Sequence, residues 1–324
     1  MGFGFQIPGH EFPGAEPADT FDRIVELAIA AESSGWASVW VMDHFWQLPP
    51  LGGPTHPILE GWTLLGALAA RTERVHLGTL VTGVTYRNPA LVAKMATTLD
   101  VISRGRAICG IGAAWYDVEH VGLGFDYPRD GVRLDMLEEA LQICRAMFTE
   151  ETPSFAGEHY RIEGAYNLPR PLRGDIPILV GGGGEKRTLR LVAQYADACN
   201  VHGDPDMIRH KMAVIDRHCA DVGRDPSEVR RTWGGTLFLT ETAEEAAGIE
   251  GLLRPAAGDE YDHNFIVGDE AVVVDKVAAL IDAGIDDLIV NMPTMPPATV
   301  ERAGRRSEEH TSELQSLRHL VCRL

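Results

Sequence analysis

The chain has 324 residues, 45% of them hydrophobic and 23% charged, which is typical of a globular protein with a large buried core. Its formal net charge of −18 excludes nucleic acid and anionic membranes as partners, because both bind to basic surfaces. The five cysteines, at positions 109, 144, 199, 219 and 322, form no CxxC pair and indicate buried thiols in a reducing compartment. We recognise no targeting segment and no apolar run long enough to cross a membrane, so we expect a cytoplasmic protein.

Short apolar strands alternate with amphipathic helices along nearly the whole chain. Strands are predicted at residues 2–7, 38–42, 75–81, 107–111, 178–180, 198–201, 236–239 and 288–290. The helices between them include residues 17–34, which end at Gly35, and residues 88–102. Eight such alternations predict an α/β fold with a parallel sheet, and eight is the number that closes a (β/α)8 TIM barrel. An open doubly wound sheet is the alternative.

The main interruption of this pattern lies at residues 150–175, between the fourth helix and the fifth strand. Within it, residues 154–162 predict a small hairpin that turns at Gly157 and Glu158. In a barrel such an insertion is expected at the rim, where it would cover a pocket.

The C-terminal residues differ in kind from the rest of the chain. Residues 306–316 match the translation of a common sequencing-library adapter, so we interpret residues 306–324 as a foreign segment. A genuine amphipathic helix is the alternative. The native part, residues 1–305, is predicted to form one domain.

The most informative segment is a short apolar run, residues 177–180, that leads through Gly181, Gly182, Gly183 and Gly184 into an amphipathic helix. Strand, glycine turn and helix N-terminus in this order direct free backbone amides towards one point, where a phosphate is stabilised. Lys186 and Arg187 add positive charge beside the turn. The segment is neither a Walker loop nor a Rossmann fingerprint, and an ordinary flexible turn is the alternative interpretation.

Catalytic side chains of a barrel come from the carboxyl ends of its strands. The second strand is followed by Asp43 and His44, a pair suited to proton transfer because histidine titrates near neutral pH and an acid can orient it. Small residues end the third, fourth and fifth strands and leave room for a large planar ligand, with Trp46 and Trp115 as flat walls. A structural ion pair is the alternative role for Asp43 and His44, and close packing is the alternative for the small residues.

Two other classes of protein compete with a cofactor-dependent enzyme. A metallohydrolase would use the histidines as ligands, but the first strand ends in Gln6-Ile7-Pro8 without a His-x-His pair. His76 stands at the start of the third strand, at the opposite end of a barrel, and we predict no metal site. A barrel that binds a flavin without turnover is the non-enzymatic alternative.

Several segments together resemble the luciferase-like monooxygenase superfamily, and specifically its F420-dependent oxidoreductases. They are residues 39–45 (VWVMDHF), 77–90 (LGTLVTGVTYRNPA), 110–115 (GIGAAW), 178–187 (ILVGGGGEKR) and 195–200 (YADACN). The resemblance runs in order from Gly2 to about Arg305. It implies a (β/α)8 barrel with the insertion covering the site, a phosphorylated flavin or the deazaflavin coenzyme F420, and a homodimer formed through surface helices.

The resemblance also implies roles for individual residues. Asp43 and His44 match the acid–histidine pair that faces the flavin or deazaflavin ring, with Asp43 setting the tautomer of His44. Leu80 and Val81 match the bulge behind the ring, where F420-dependent members carry a non-proline cis peptide bond. The remaining residues implied in cofactor binding are Thr82, Gly112 and Ala113 beside the ring, and Gly181, Gly182, Gly183, Gly184, Lys186 and Arg187 around the phosphate. Trp115 stands where some members carry a glutamate, so their general acid has no counterpart at this position.

The favoured function is an oxidoreductase that uses F420 for hydride transfer to or from a small organic substrate, with His44 holding or accepting the proton of the reacting group. The alternative is an FMN-dependent monooxygenase that activates O2, depends on a partner reductase and needs a dry pocket. The sequence does not identify the substrate.

Overall fold

The computed structural model describes residues 2–293 and 296–305. The segment interpreted as foreign, residues 306–324, lies outside the described residues, as does Cys322. The first half of the chain forms β1 Phe3–Ile7, α1 Thr20–Ser33, β2 Ser38–Val41, α2 Gly61–Ala69, β3 His76–Thr79, β4 Thr82–Gly83, α3 Pro89–Ser103, β5 Ala107–Gly112, α4 Asp117–Leu123 and α5 Asp130–Thr149. The second half forms β6 Phe155–Ala156, β7 Arg161–Ile162, β8 Ile178–Gly181, α6 Thr188–Tyr195, β9 Ala198–Val201, α7 Pro205–Val222, β10 Arg230–Leu239, α8 Ala243–Ala257, α9 Tyr261–Asn264, β11 Phe265–Gly268, α10 Glu270–Asp282 and β12 Asp287–Asn291, and residues 297–305 are helical.

Eight parallel strands close into a barrel within the described part of the chain. The ring runs β12-β1-β2-β3-β5-β8-β9-β10 and closes because β10 pairs with both β9 and β12. After β3, the short strand β4 continues along β5. The predicted (β/α)8 barrel is therefore confirmed, and the open doubly wound sheet is excluded.

The strand β10 is longer than the sequence predicts. It starts at Arg230 instead of near Thr236, and its first half pairs with β9 and β12. Its second half, from Thr236, pairs with β11, a strand that the sequence analysis did not predict. β11 thus lies outside the ring and extends the barrel wall at the carboxyl end, where ligands bind.

The interior of the barrel is filled below the carboxyl ends of the strands. Trp40, Leu179 and Ile289 are buried there, and Leu80 and Val81 pack against them. Two glycines make room for the Trp40 indole, because a Cβ atom on Gly4 or Gly78 would lie 2.8 Å from it. These side chains form a packed floor beneath the open end of the barrel.

The cysteines are also part of the packed interior. Cys109, Cys144, Cys199 and Cys219 are buried free thiols, as predicted for the cysteines within the described residues. Burial raises the pKa of the Cys199 thiol to about 12, so this side chain behaves as a small apolar group.

The predicted hairpin is present, but it does not cover a pocket. β6 and β7 pair antiparallel, and the amide of Gly157 donates to the carbonyl of Tyr160 at 2.9 Å. The carboxylate of Glu139 on α5 accepts hydrogen bonds from the amides of Glu158, His159 and Tyr160. These bonds fix the turn against the outer helix α5, and no residue of 150–175 lines the main cavity. The expectation that the insertion covers the site is wrong for this reason.

Gly110 in β5 provides a test of how closely the strands pack. A Cβ atom at this position would lie 1.9 Å from the carbonyl oxygen of Thr79, which is a backbone atom and cannot swing away. We expect Gly110→Ala to lower the free energy of unfolding by roughly 3 kcal/mol or more. Gly66→Ala in α2 is the matched control, since no atom lies within 4 Å of its added Cβ, and it should raise stability by up to about 1 kcal/mol. Equal urea midpoints for the two variants would contradict this account.

Candidate active site

One large cavity, about 640 Å³ in volume, opens at the carboxyl ends of the barrel strands. Its lining contains two histidines, His44 and His202. The other lining residues are glycines, apolar residues, and residues with an amide or a hydroxyl group. No aspartate, glutamate, lysine or arginine belongs to the described lining. Such a cavity is suited to a large, mostly apolar ligand held by a few polar groups.

His44 follows β2 and is held by a residue from a different part of the chain, Glu119 in α4. The Nδ1 atom of His44 lies 2.6 Å from Oε1 of Glu119, whose side chain is fully buried. The hydroxyl of Tyr86 donates to the same oxygen, and the amides of Phe45 and Trp46 donate to Oε2 at 2.8 and 3.1 Å. The carboxylate therefore orients His44 and fixes the loop that carries it.

The hydrogen bonds keep Glu119 ionised despite its burial. Burial alone would raise the pKa of the carboxyl group, but the bonds from His44, Tyr86 and the Phe45 amide outweigh it and lower the pKa. The pKa of the Tyr86 hydroxyl is raised, mainly by burial and secondly by its hydrogen bond to the Glu119 carboxylate. Because Glu119 accepts at Nδ1, the proton of a neutral His44 lies on Nδ1, and Nε2 is left as an acceptor.

Asp43 does not orient His44, so this part of the prediction is wrong. Its carboxylate forms a bidentate pair with Arg87, at 2.7 and 3.1 Å, and Arg87 also contacts Glu60 at 2.5 Å. Adjacent residues after a strand point to opposite sides, and Asp43 points into the wall while His44 points into the cavity. Burial raises the pKa of Asp43, and Arg87 opposes this effect.

The bulge after β3 forms one wall of the cavity. Leu80 and Val81 line it, and the peptide bond between them is cis, as the resemblance implies. Gly112 and Ala113 at the end of β5 also line the cavity, and a Cβ atom on Gly112 or Gly181 would lie 2.8 or 2.9 Å from Val81. Thr82 does not line it, because its hydroxyl is turned to the Trp62 indole and the Thr79 hydroxyl, both at 2.9 Å.

The glycine turn joins β8 to α6 at the edge of the cavity. Gly181 and Gly182 line the cavity, and Gly182 has a φ of 123°, which glycine adopts readily. Gly183 and Gly184 continue the turn to Thr188, the first residue of α6, which also lines the cavity. Free amides at this helix N-terminus and the glycine backbone fit a phosphate group.

The positive charge at this turn comes from a residue that the sequence analysis missed. Lys211 on α7 places its Nζ atom 3.0 Å from the carbonyl oxygen of Gly183. Arg187 points the other way, to Asp135 of α5 at 2.7 Å, and Lys186 is exposed outside the cavity. The prediction that Lys186 and Arg187 face the phosphate is therefore not matched by their side-chain positions. For Arg187 the reason is the nearer carboxylate of Asp135 on α5.

The wall opposite the bulge contains a second histidine. The Nδ1 atom of His202 lies 2.7 Å from the carbonyl oxygen of Gly234, to which it donates, and this leaves Nε2 as an acceptor. Desolvation lowers the pKa of His202, so the ring is neutral at neutral pH. No group of three or more His, Cys, Asp or Glu side chains in residues 2–293 and 296–305 is arranged to hold a metal ion.

Comparisons with known proteins agree with this architecture. Residues 1–248 match the family described as luciferase-like monooxygenase. The chain belongs to the luciferase-like monooxygenase family. A relative from Intrasporangium calvum, named F420-dependent glucose-6-phosphate dehydrogenase, is 38% identical over 84% of this chain and 89% of its own length. A relative of the same name from Nocardia farcinica is 28% identical over 90% of this chain and 91% of its own length.

The fold is also shared with solved structures of other proteins. The coenzyme F420-dependent tetrahydromethanopterin reductase from Methanopyrus kandleri superposes with a TM-score of 0.74 over 94% of this chain and 97% of its own. Its sequence identity is 18%, so the likeness concerns the barrel fold. No helix among the described residues is long and apolar enough to span a membrane.

The role of Glu119 in this luciferase-like barrel leads to a stability prediction. We expect Glu119→Gln to lower the free energy of unfolding at pH 7 by about 2–4 kcal/mol, because an amide cannot satisfy four donors. The pKa of Glu119 is lowered in the folded state, so its stabilisation is present above the unfolded pKa, about 4.3, and is lost as the pH falls through the folded pKa. The difference between variant and wild type should shrink in acid.

Asp117→Asn is the matched control for this prediction, because Asp117 is an exposed acid in the same helix. It should cost less than about 1 kcal/mol. Nitrogen NMR of labelled histidine provides a second measurement, in which wild-type His44 should carry its proton on Nδ1. A gap between Glu119→Gln and wild type that is unchanged at low pH, or a His44 proton on Nε2, would contradict the assignment.

Proposed function

We propose that this protein is an F420-dependent oxidoreductase that transfers a hydride between the deazaflavin and a small organic alcohol or carbonyl compound. The observation that carries the proposal is the arrangement of His44. Its Nδ1 is paired with the buried, ionised Glu119, and its Nε2 makes no hydrogen bond within the described residues while the ring lines the cavity. A proton acceptor in this position suits the oxidation of a hydroxyl group.

Two further features support F420 as the cofactor. The bulge at Leu80 and Val81 provides an apolar wall for a flat ring, and the turn at Gly183 with Lys211 provides amides and a cation for a phosphate. The relatives from Intrasporangium calvum and Nocardia farcinica are named as F420-dependent enzymes over most of this chain. When bound, F420 supplies the chemistry of accepting or donating a hydride at a ring carbon.

The protein's own residues have distinct roles in this proposal. His44 accepts the hydroxyl proton of the substrate at Nε2 in the oxidative direction and returns it to the carbonyl oxygen in the reductive direction. Glu119 stabilises the imidazolium that forms, at 2.6 Å from Nδ1. Tyr86 and the amides of Phe45 and Trp46 keep the carboxylate in place. Asp43 and Arg87 act on structure, by fixing the wall behind His44.

Cofactor titration tests the first half of this proposal. The full chain, titrated separately with oxidised F420 and with FMN and followed by fluorescence, should bind F420 with micromolar affinity and in preference to FMN. Lys211→Ala should weaken F420 binding about tenfold, because it removes the cation at the turn. Lys276→Ala is the matched control, since its Nζ also contacts a backbone carbonyl, that of Val267, but outside the lining of the cavity. Preference for FMN would move the protein to oxygen chemistry and overturn the proposal.

Removal of the proton acceptor tests the second half. We expect His44→Asn to bind F420 as tightly as wild type and to lower kcat of alcohol oxidation by about 100-fold or more. Full hydride transfer by His44→Asn would show that His44 has no such role.

A further inference from the structure

We infer, resting on the function proposed above, that the substrate of this enzyme is an uncharged alcohol or carbonyl compound with an apolar body. The inference separates this chain from the substrate named for its relatives, glucose 6-phosphate, which carries a dianionic group. The reasons are the positions of the charged residues around the mouth of the barrel and the residues that line the part of the cavity left for the substrate.

The cavity has no formal charge of its own to match an anionic substrate. The described lining contains no lysine, arginine, aspartate or glutamate. Burying a phosphate or carboxylate there would leave an anion without a counter-ion, which costs several kcal/mol. The protein's net charge of −18 adds to this penalty, because it disfavours anions over the whole surface.

Four cations near the cavity are engaged with other groups of the protein. Arg133 donates to the carbonyl of the lining residue Ala113 and pairs with Asp130, both at 2.9 Å. Arg87 is bound to Asp43 and Glu60 inside the wall. Arg254, directly after the lining residue Leu253, lies 4.0 Å above the Tyr261 ring and 3.3 Å from Asp262. Lys276 donates to the carbonyl of Val267.

The one phosphate-binding arrangement at the cavity edge is already used. Lys211 and the N-terminus of α6 meet at Gly183, and the proposed function assigns them to the cofactor phosphate. A phosphorylated substrate would need a second arrangement of this kind. The described lining on the far side of the cavity has no lysine or arginine, and it includes Phe238, Leu253 and Phe265 with the neutral amides of Asn264 and Asn291.

The apolar side chains continue onto the loop that follows β2. Leu48, Pro50 and Leu51 line the mouth, and Trp115 faces it with 60% of its surface exposed. An apolar substrate body would cover these side chains and gain the free energy of their desolvation. The Nε2 atom of His44 and the Asn291 amide, which keeps one N–H after its bond to the Gly235 carbonyl, remain to bind one neutral oxygen function.

The test is a series of neutral alcohols set against a charged one. With the F420-loaded protein, kcat/KM should rise roughly threefold for each added methylene from 2-butanol through 2-hexanol to 2-octanol. Glucose 6-phosphate should be at least 100-fold poorer than 2-octanol. Calorimetric titration of 2-octanol and glucose 6-phosphate into cofactor-free protein gives a second readout. Excess inorganic phosphate is present to occupy the turn at Gly183 and Lys211, and the alcohol should bind more tightly.

A pair of variants tests the electrostatic reason. Leu253→Lys places a cation on the cavity wall and should raise the affinity for glucose 6-phosphate about tenfold, while it lowers that for 2-octanol. Leu252→Lys is the control, because the adjacent Leu252 is 78% exposed and outside the lining, and it should change neither.

The outcomes separate this inference from the function on which it rests. If F420 binds but glucose 6-phosphate is preferred, or kcat/KM does not rise with chain length, the inference is overturned and the proposed function stands. If F420 does not bind, the proposed function fails, and the calorimetric comparison still decides the class of ligand. Tighter binding of glucose 6-phosphate, or binding of neither compound, overturns the inference.

Discussion

The buried carboxylate of Glu119 is the interaction on which the candidate site depends. It accepts four hydrogen bonds, from His44, Tyr86 and two backbone amides, and so joins the loop after β2, the segment after β4 and the helix α4. A buried carboxylate is tolerated only when its oxygens are satisfied, and these donors also hold it ionised. Loss of one donor would therefore lower the stability of the fold and loosen the orientation of His44 together.

The cavity is bounded by two walls that differ in composition. The wall at β3, β5 and β8 is made of backbone and small residues, with Val81 seated against Gly112 and Gly181. The wall at β10, β11 and β12 presents side chains such as Phe238 and Asn291. The first kind recognises shape and is suited to a cofactor common to a family. The second kind varies easily without disturbing the barrel, and we expect substrate preference to reside there.

Periodicity was sufficient to predict the barrel but not the partners of its side chains. Alternating apolar strands and helices report burial, which depends on local sequence, and the ring closes as the count of eight predicts. The pairing of His44 with Glu119 joins residues 75 positions apart and needs α4, a short helix that no strong periodicity marks. The contact of Lys211 with Gly183 also joins residues far apart in sequence, 28 positions, because Lys211 belongs to the next βα unit. Adjacency in sequence suggested Asp43 and Arg187 instead, and strand geometry and nearby carboxylates direct both away from the cavity.

The distribution of charge fits the proposal that one cavity serves both a phosphorylated cofactor and a neutral substrate. Lys211 lies at the glycine turn, outside the cavity lining, and the described lining contains no lysine, arginine, aspartate or glutamate. An anion is therefore stabilised at one edge and excluded elsewhere. In the uncharged region, the strongest field comes from the Glu119 carboxylate behind His44, acting across 2.6 Å in a water-poor environment. In the proposed function this carboxylate pairs with the imidazolium that forms when His44 takes a proton from a neutral hydroxyl, whereas a substrate with its own negative charge would find no lysine or arginine in the described lining.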